Sequence, residues 1–233
     1  MKRFYKSVDI VAEEHGFSVR LDNRPVKTPA KNTLLLPNQP LTAAVAAEWD
    51  AQEDEIDAQG MRLTRLANSA IDRVTGHRGA VIAEIAGFAD TDLLCYRAAE
   101  PASLAERQEA GWGPLIAWAA ERHGIDLVTT TGLLPVAQTG RSTVAVEAAI
   151  DAFDVYALAG LHLVTSACGS VVLGLAVADG RIDGAVAWEL SLIDETFQME
   201  EWGEDPDATK RRTGLLKDIT AAADYLGLCK TDP

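Results

Sequence analysis

The chain has 233 residues, 48% of them hydrophobic, and a formal net charge of −14. A hydrophobic fraction of this size supports a buried core and excludes a disordered chain. The negative charge argues against nucleic acid and against an anionic membrane surface as partners, because binding to either needs a basic face. A basic patch on another protein is the natural complement of such a chain.

The first forty residues have the pattern of β structure. Short apolar runs are broken at His15-Gly16 and at Asp22-Asn23, and both pairs favour hairpin turns. Prolines interrupt the chain until Pro40, after which a run of small residues predicts a helix. The N-terminal part is therefore expected to be rich in β structure.

Beyond Pro40 the apolar residues recur mostly at helical spacing. Helices are predicted over residues 61–74, 80–89, 102–123 with a break or kink near Gly113-Pro114, 142–153, 155–178, 183–202 and 206–227. Short extended pieces are predicted over residues 93–97 and 125–131. These patterns predict an α+β fold, with a β-rich N-terminal domain over residues 1–76 and a mainly helical C-terminal domain over residues 77–233.

The segment from Tyr156 to Ala178 contains no Asp, Glu, Lys or Arg. A run of this length is compatible with a transmembrane helix. Polar residues such as His162 lie within it, however, and acids rather than basic anchors flank it at Asp154 and Asp179. The pattern therefore favours a central helix that other helices bury on all sides.

The segment from Asp183 to Asp207 contains nine acidic residues and no Lys or Arg. Apolar residues within it recur at helical spacing and form one predicted stripe: Val186, Leu190, Ile193 and Phe197. A helix with an apolar side and an acidic side is either a docking element or a solvated cap. Trp202 beside these acids suits an interface, but it also suits a core position at the helix end, with Gly203 as the stop.

Motifs for catalysis are weak in this sequence. The four histidines have no metal-ligand spacing, and neither a glycine-rich phosphate loop nor a nucleophile elbow is present. The three cysteines are Cys95, Cys168 and Cys229, which lie far apart and are expected to be buried structural thiols in a reducing compartment.

The best candidate for an enzyme site is the acidic pair Asp90 and Asp92, which follows an apolar run. Two carboxylates at this spacing could hold Mg²⁺ in a phosphatase-like site, with Asp179 and Asp183 as a distant second pair. The preceding residues have a helical pattern, and such a site would need a buried strand there. The favoured interpretation is that Asp90 or Asp92 caps a helix or a turn, and the phosphatase stays an alternative.

Several blocks of the sequence nevertheless resemble one known family, the ATP synthase assembly chaperones of mitochondria and α-proteobacteria. They occur in the family's order along nearly the whole chain. The blocks include Phe4-Tyr5-Lys6, Arg24-Pro25-Val26-Lys27-Thr28-Pro29, Glu48-Trp49-Asp50, Asp90-Thr91-Asp92, Cys95-Tyr96-Arg97, Trp112-x-Pro114, Glu195-x-Phe197-Gln198 and Trp202-Gly203. Each block alone is weak evidence, and their shared order makes chance similarity improbable.

The resemblance implies a β-rich N-terminal domain, a helical C-terminal domain and a role without catalysis. It implies that the protein binds the unassembled α subunit of the catalytic head and shields its interface until the β subunit takes its place. The acid that matches the family's functionally important glutamate is Glu195. We expect Glu195 and Gln198 to be partner-binding residues and Trp202 to be an anchor.

The same reading predicts no cofactor, no metal ion, no catalytic residue and no small-molecule substrate. The first residues contain neither an apolar signal core nor a transit-peptide pattern. The protein is therefore expected to be bacterial and cytoplasmic.

Overall fold

A computed structural model describes residues 1–132, 136–203 and 205–230 of the chain. Its N-terminal part contains a four-stranded antiparallel sheet, whose strands are β1 (Val8–Glu13), β2 (Gly16–Leu21), β3 (Arg24–Pro25) and β4 (Leu35–Leu36). Two further short strands, β5 (Tyr96–Arg97) and β6 (Thr130–Thr131), pair in parallel and form a separate small sheet. They lie inside the two extended pieces that the sequence predicts.

Strand β2 is the centre of the sheet. It pairs with β1 along its whole length and with β3 and β4 on its other edge. Asp22 and Asn23 connect β2 to β3 with φ values of 47° and 68°, the left-handed conformation that a tight hairpin turn requires. Val19 and Leu21 on β2 face the core and are buried. The hairpins expected from the turn residues are therefore confirmed.

The rest of the chain is mostly helical. Its α-helices are α1 (Gln39–Asp50), α2 (Arg62–Ser69), α3 (Thr75–Gly87), α4 (Ala102–His123), α5 (Gly140–Asp151), α6 (Val155–Cys168), α7 (Val171–Asp179), α8 (Gly184–Ser191), α9 (Ile193–Trp202) and α10 (Pro206–Cys229). One π-helical turn, Ala70–Val74, joins α2 to α3. Together with the sheet, these elements form the α+β fold that the sequence predicts.

Two predicted single helices are each divided in the structure, so these predictions are wrong in that respect. The segment 155–178 is α6 and α7, because Gly169 ends α6 with a left-handed φ of 66° and the Ser170 side chain caps α7. The segment 183–202 is α8 and α9, because Leu192 departs from helical angles with φ −117° and ψ 19°. These interruptions depend on one or two residues, which periodicity over a long window does not detect.

Helices α6 and α7 occupy the centre of the helical part. Every residue of α7 from Val171 to Ala178 is buried, and α6 contacts α2, α3, α7, α8 and α10. Gly160 on α6 allows α10 to approach closely, since a Cβ there would lie 2.9 Å from Cγ of Leu226. Among the described residues, none of the helices combines the length and the apolar character needed to cross a membrane.

The predicted domain boundary between residues 76 and 77 lies within a continuous helical segment. Helix α2, the π-helical turn and α3 follow one another without a loop, and His77 inside α3 has non-helical angles of φ −137° and ψ 30°. One cluster of buried apolar side chains includes residues from both sides of this point. The division into two domains stays a prediction.

A half-buried carboxylate, that of Glu48, joins the first two helices. Glu48 on α1 accepts hydrogen bonds from the backbone N–H groups of Leu63 and Thr64 at 2.8 Å, and so caps α2 from outside. The N-cap residue of α2, Met61, provides no side-chain hydrogen bond. Glu48 therefore satisfies amide groups that α2 would otherwise leave unpaired.

We expect Glu48→Ala to lower the free energy of unfolding by about 1–2 kcal/mol, because two N–H groups and the Thr64 hydroxyl lose their acceptor. Urea denaturation followed by circular dichroism measures the change. Glu53→Ala removes an exposed glutamate of the next loop and is the matched control. Equal stabilities of the two variants would contradict the capping role.

Candidate functional site

The acidic segment singled out in the sequence includes α8, α9 and the start of α10, and α9 carries the predicted partner-binding residues. Ile193 at its start is buried and holds the helix to the core. Gly203 ends the helix with φ 92°, and its N–H group donates to the carbonyl oxygen of Met199 at 2.9 Å. The stop predicted at Gly203 is therefore confirmed, and α9 presents one side to the protein and one to solvent.

The acids of α9 are matched by side chains from α4 and α10. Glu200 accepts two hydrogen bonds from the Arg107 guanidinium, at 2.9 and 3.0 Å, and this contact lowers the pKa of Glu200. The Gln108 amide donates to Asp194 at 2.7 Å. The segment contains no basic residue of its own. Part of its negative charge is instead balanced by Arg107, about ninety positions away in the chain.

Glu195 belongs to this matched group. Its carboxylate lies 2.9 Å from Nη2 of Arg211 and 3.7 Å from Nη1 of Arg212, both on α10. The Glu195 side chain is 27% exposed. Arg212 also donates to the Thr196 hydroxyl at 2.9 Å. Glu195 therefore helps to hold α9 on α10 while it keeps an edge open to solvent.

The three residues predicted to bind a partner lie on one stripe of α9. Glu195, Gln198 and Trp202 follow each other at steps of three and four residues, which places them on the same side of a helix. Gln198 is exposed, and Trp202 is 82% exposed. The alternative that Trp202 is a core residue is wrong.

The apolar stripe predicted for the acidic segment is only partly formed in the structure. Ile193 is buried, and Phe197 lies under the guanidinium of Arg107 with its ring centroid 5.5 Å from Cζ. Val186, in contrast, is partly exposed on α8. Leu190 and Ile193 lie on either side of the break at Leu192, and both approach Gly111 of α4, so Val186 is the residue that departs from the predicted stripe.

Sequence reasoning missed the residues that position α9. Arg107, Gln108, Arg211 and Arg212 lie in segments with no motif, and nothing in the local pattern links them to the acids. A weak signal exists in α10, where Lys210, Arg211 and Arg212 form a basic run near the acidic segment. Such a run could have suggested an ion pair with the preceding helix.

The alternative acidic pair has a different role in the structure. Asp92 is buried, and its carboxylate accepts the backbone N–H groups of Leu94 at 3.0 Å and Val172 at 3.2 Å. It therefore caps the start of α7. Asp90 is exposed in a short 3-10 turn, Phe88–Thr91. The favoured interpretation, a cap, agrees with this geometry, and the geometry gives no support to a Mg²⁺ site made of this pair.

The part of the chain that the structure describes also contains no cluster of side chains arranged to bind a metal ion, and its cysteines are buried. Within it, no group of three or more His, Cys, Asp and Glu side chains is placed to hold a metal ion. Cys95, Cys168 and Cys229 are free and buried, and burial raises the pKa of each thiol to about 12. They are therefore unreactive packing residues, as the sequence predicts.

Comparisons with known proteins give a consistent result. A family model described as ATP12 chaperone protein matches residues 2–120, just over half of the chain. Protein atp12, mitochondrial, of Schizosaccharomyces pombe is 22% identical over 243 residues, which cover 99% of this chain and 84% of that protein.

Solved structures match over nearly the whole chain. The crystal structure of Atp12 from Paracoccus denitrificans is 41% identical, covers 98% of both chains and superposes with a TM-score of 0.94. An aspartate-to-lysine mutant of the same Paracoccus protein gives the same values. A crystal structure from Agrobacterium tumefaciens is 38% identical, with 98% of this chain and 86% of that chain covered and a TM-score of 0.94.

The shared fold and the family match define the class of the protein, which is a chaperone of α+β architecture. The chain belongs to the ATP12 chaperone family. The resemblance noted in the sequence is thereby confirmed.

The cap at α7 predicts an unusual pH dependence. Burial raises the pKa of Asp92 to about 6 from the ordinary value of 3.8, although hydrogen bonds from Ser170 and backbone N–H groups oppose this in part. Between these two values the folded chain binds more protons than the unfolded chain, so the contribution of Asp92 to the free energy of unfolding falls as pH rises.

We therefore expect the chain to lose about 3 kcal/mol of unfolding free energy, relative to its Asp92→Asn variant, between about pH 3 and about pH 7. Urea denaturation of both proteins at several pH values measures this difference. Asp90→Asn changes an exposed carboxyl and is the control. A constant difference between the chain and Asp92→Asn across this range would contradict the assignment.

Proposed function

We propose that this protein is an assembly chaperone for ATP synthase that binds the unassembled α subunit of the catalytic head. It shields the interface of that subunit until the β subunit replaces it. The observation that carries the proposal is membership of the ATP12 chaperone family, supported by matches that extend along the whole chain. The α subunit as the particular client comes from the resemblance of the sequence blocks.

The physical need for such a protein follows from ring assembly. A subunit outside its ring exposes a large, partly apolar surface that promotes aggregation. A chaperone that covers this surface must also leave it, so its contacts are expected to be mixed polar and apolar. The α9 stripe, with Glu195, Gln198 and Trp202, has this mixed character.

Trp202 is the residue best suited to anchor a client on this stripe. It is a large aromatic side chain with most of its surface in solvent, and unpaired aromatic residues of this kind dominate binding energy when an interface covers them. Acidic residues beside it would attract a basic patch on the client and raise the rate of encounter. We place the protein in the bacterial cytoplasm and assign it no catalytic step.

The direct test is a binding assay with the isolated α subunit. We expect a complex on size-exclusion chromatography, suppression of α-subunit aggregation measured by light scattering, and release of the chaperone when the β subunit is added. The proposal fails if the α subunit neither binds nor stays soluble in the presence of the chaperone.

Trp202→Ala is expected to weaken α-subunit binding by about 30-fold, which corresponds to about 2 kcal/mol for an interface anchor. The melting temperature should not change, because the side chain is mostly in solvent. Biolayer interferometry with immobilised α subunit measures the affinity. Val144→Ala removes a side chain that is 66% exposed on α5 and should leave binding unchanged.

Glu195 can act by holding α9 on α10 or by contacting the client, and the experiment on this residue must distinguish these two roles. Glu195→Lys places a third positive charge beside Arg211 and Arg212, so we expect a stability loss of up to about 1 kcal/mol along with weaker binding. The double variant Glu195→Lys with Arg211→Glu restores the ion pair with its charges exchanged.

If Glu195 contacts the client, the double variant regains stability in urea but not affinity for the α subunit. Recovery of both properties would show that Glu195 acts only by holding α9 in place. The two measurements on the same three proteins therefore distinguish the two roles.

A further inference from the structure

A groove to which no role has been assigned above lies between the helical segment 62–81 and α6. It has a volume of about 380 Å³ and continues into a second recess of about 80 Å³ that shares Leu66, Ser69 and Leu163 with it. A concave site of this size is typical of positions that receive ligand groups or side chains. None of the partner-binding residues predicted from the sequence lines this groove.

The π-helical turn Ala70–Val74 lies directly on this groove. Arg73 and Val74, which belong to the turn, line the cavity. A π-helical turn inserts an extra residue into a helix and occurs frequently at functional sites. It is also costly relative to an α-helix, so its presence beside a cavity is an independent sign that the segment has a role other than packing.

The lining is mostly apolar, and its polar members are Ser69, Arg73, His162 and Ser166. Leu66, Val74, Val81 and Leu163 form the walls, and the α6 side chains of Ala159 and Ala167 are small. Small residues on a helix allow another chain to approach closely. The groove is therefore suited to an apolar side chain of a partner that runs across α6.

The rim has a small excess of basic side chains, with Arg62, Arg65 and Arg73 against Asp218 and Glu84, although the whole chain has a net charge of −14. Arg65 is exposed, and among the described residues its guanidinium donates only to the carbonyl oxygen of Gln59, at 3.4 Å. Arg73 pairs with Glu84, which also lies 3.1 Å from Nε2 of His162 at the other wall. Arg65 can therefore receive a carboxylate from a partner, and Arg73 can do so by exchange with Glu84.

Helix α10 connects this groove to the α9 stripe. Asp218 accepts a hydrogen bond from Arg62 at 2.7 Å at the end of the groove, and Arg211 contacts Glu195 at 2.9 Å. Residues 211 and 218 are seven positions apart, which places them on one side of α10 about 10 Å from each other. One partner can therefore cover both regions.

We propose that the groove binds a segment of the client in which a large apolar side chain is flanked by Asp or Glu. This rests on the proposed function and extends its contact surface from α9 across α10. The apolar side chain fills the cavity and the acidic neighbour pairs with Arg65. A basic segment is disfavoured at this rim, and the acidic α9 is the natural place for the basic part of the same client.

Filling the groove tests the proposal with the isolated α subunit as the probe. Ser166 lines the cavity and is exposed, so Ser166→Trp occupies the groove without burying a new group in the core. We expect this variant to bind the α subunit at least about tenfold more weakly. Ser103→Trp, at an exposed position of α4, makes the same change elsewhere and should bind normally.

The basic rim is tested in the same assay. Arg65→Glu should weaken binding by about tenfold, and Arg65→Lys should retain it because the charge is kept. Arg141→Glu reverses an exposed charge on α5 and controls for the change in net charge. Melting temperatures of all variants show whether each one is folded.

The occupant is identified by cross-linking. Ser166→Cys can be labelled with a maleimide benzophenone, because the three native thiols are buried and poorly ionised. Photolysis in the complex followed by mass spectrometry should recover an α-subunit peptide with an apolar residue next to Asp or Glu. A peptide rich in Lys or Arg, or no cross-link to the α subunit, would overturn the proposal.

The two proposals fail differently. If the unmodified chain binds the α subunit and Ser166→Trp binds as well as Ser103→Trp, the groove proposal alone is overturned. If the unmodified chain does not bind the α subunit, the proposed function fails and the groove proposal is overturned with it.

Discussion

Burial of the helix pair α6 and α7, which contains the uncharged run from Tyr156 to Ala178, is the constraint on which the rest of this structure depends. A segment this apolar must be covered on all sides, and α2, α3, α4, α8 and α10 provide the cover. The non-helical link at Gly169 and Ser170 allows the two helices to pack on one another. Asp92 then satisfies the first amide groups of α7 in a place that water does not reach. The surface helices, including α9, are positioned by this centre.

Side-chain carboxylates join the sheet and the helical part at specific points. Glu48 caps α2 from α1, and Asp72 in the π-helical turn accepts hydrogen bonds from Thr28, Ala30 and Asn32 beyond the sheet. These contacts tie the loop before β4 to the segment that forms the wall of the groove. The π-helical turn therefore contacts the loop between β3 and β4 through Asp72 and lines the groove with Arg73 and Val74. Thr28, in the block Arg24–Pro29, therefore helps to hold the wall of the groove, although this block does not line the groove itself.

The surface for a client combines two regions of different charge. On α9, Glu200 and Glu195 pair with Arg107 and Arg211, and Asp194 accepts a hydrogen bond from Gln108. The exposed side chains of the helix are Gln198, Glu200, Glu201 and Trp202. Across α10 the groove is mostly apolar, with a small excess of basic side chains at its rim. A client surface that combines apolar residues with charges of both signs complements these two regions better than a uniformly apolar surface does. Such mixed contacts suit a chaperone that must release its client to a better partner.

The sequence by itself determined the fold class, the hairpins, most helix positions, the buried central segment and the family. Each of these depends on local propensity, on periodicity or on ordered motif blocks, and these are properties of neighbouring residues. It also selected Glu195, Gln198 and Trp202 by resemblance, and whether they bind a partner stays a prediction. Only the tertiary structure decided that Glu195 is paired with Arg211, that Trp202 lies in solvent, that Asp92 is a buried cap, and that a π-helical turn opens a groove. Those facts depend on residues that lie between 16 and 80 positions apart in the chain, or on a single departure from helical angles, and no local pattern records either.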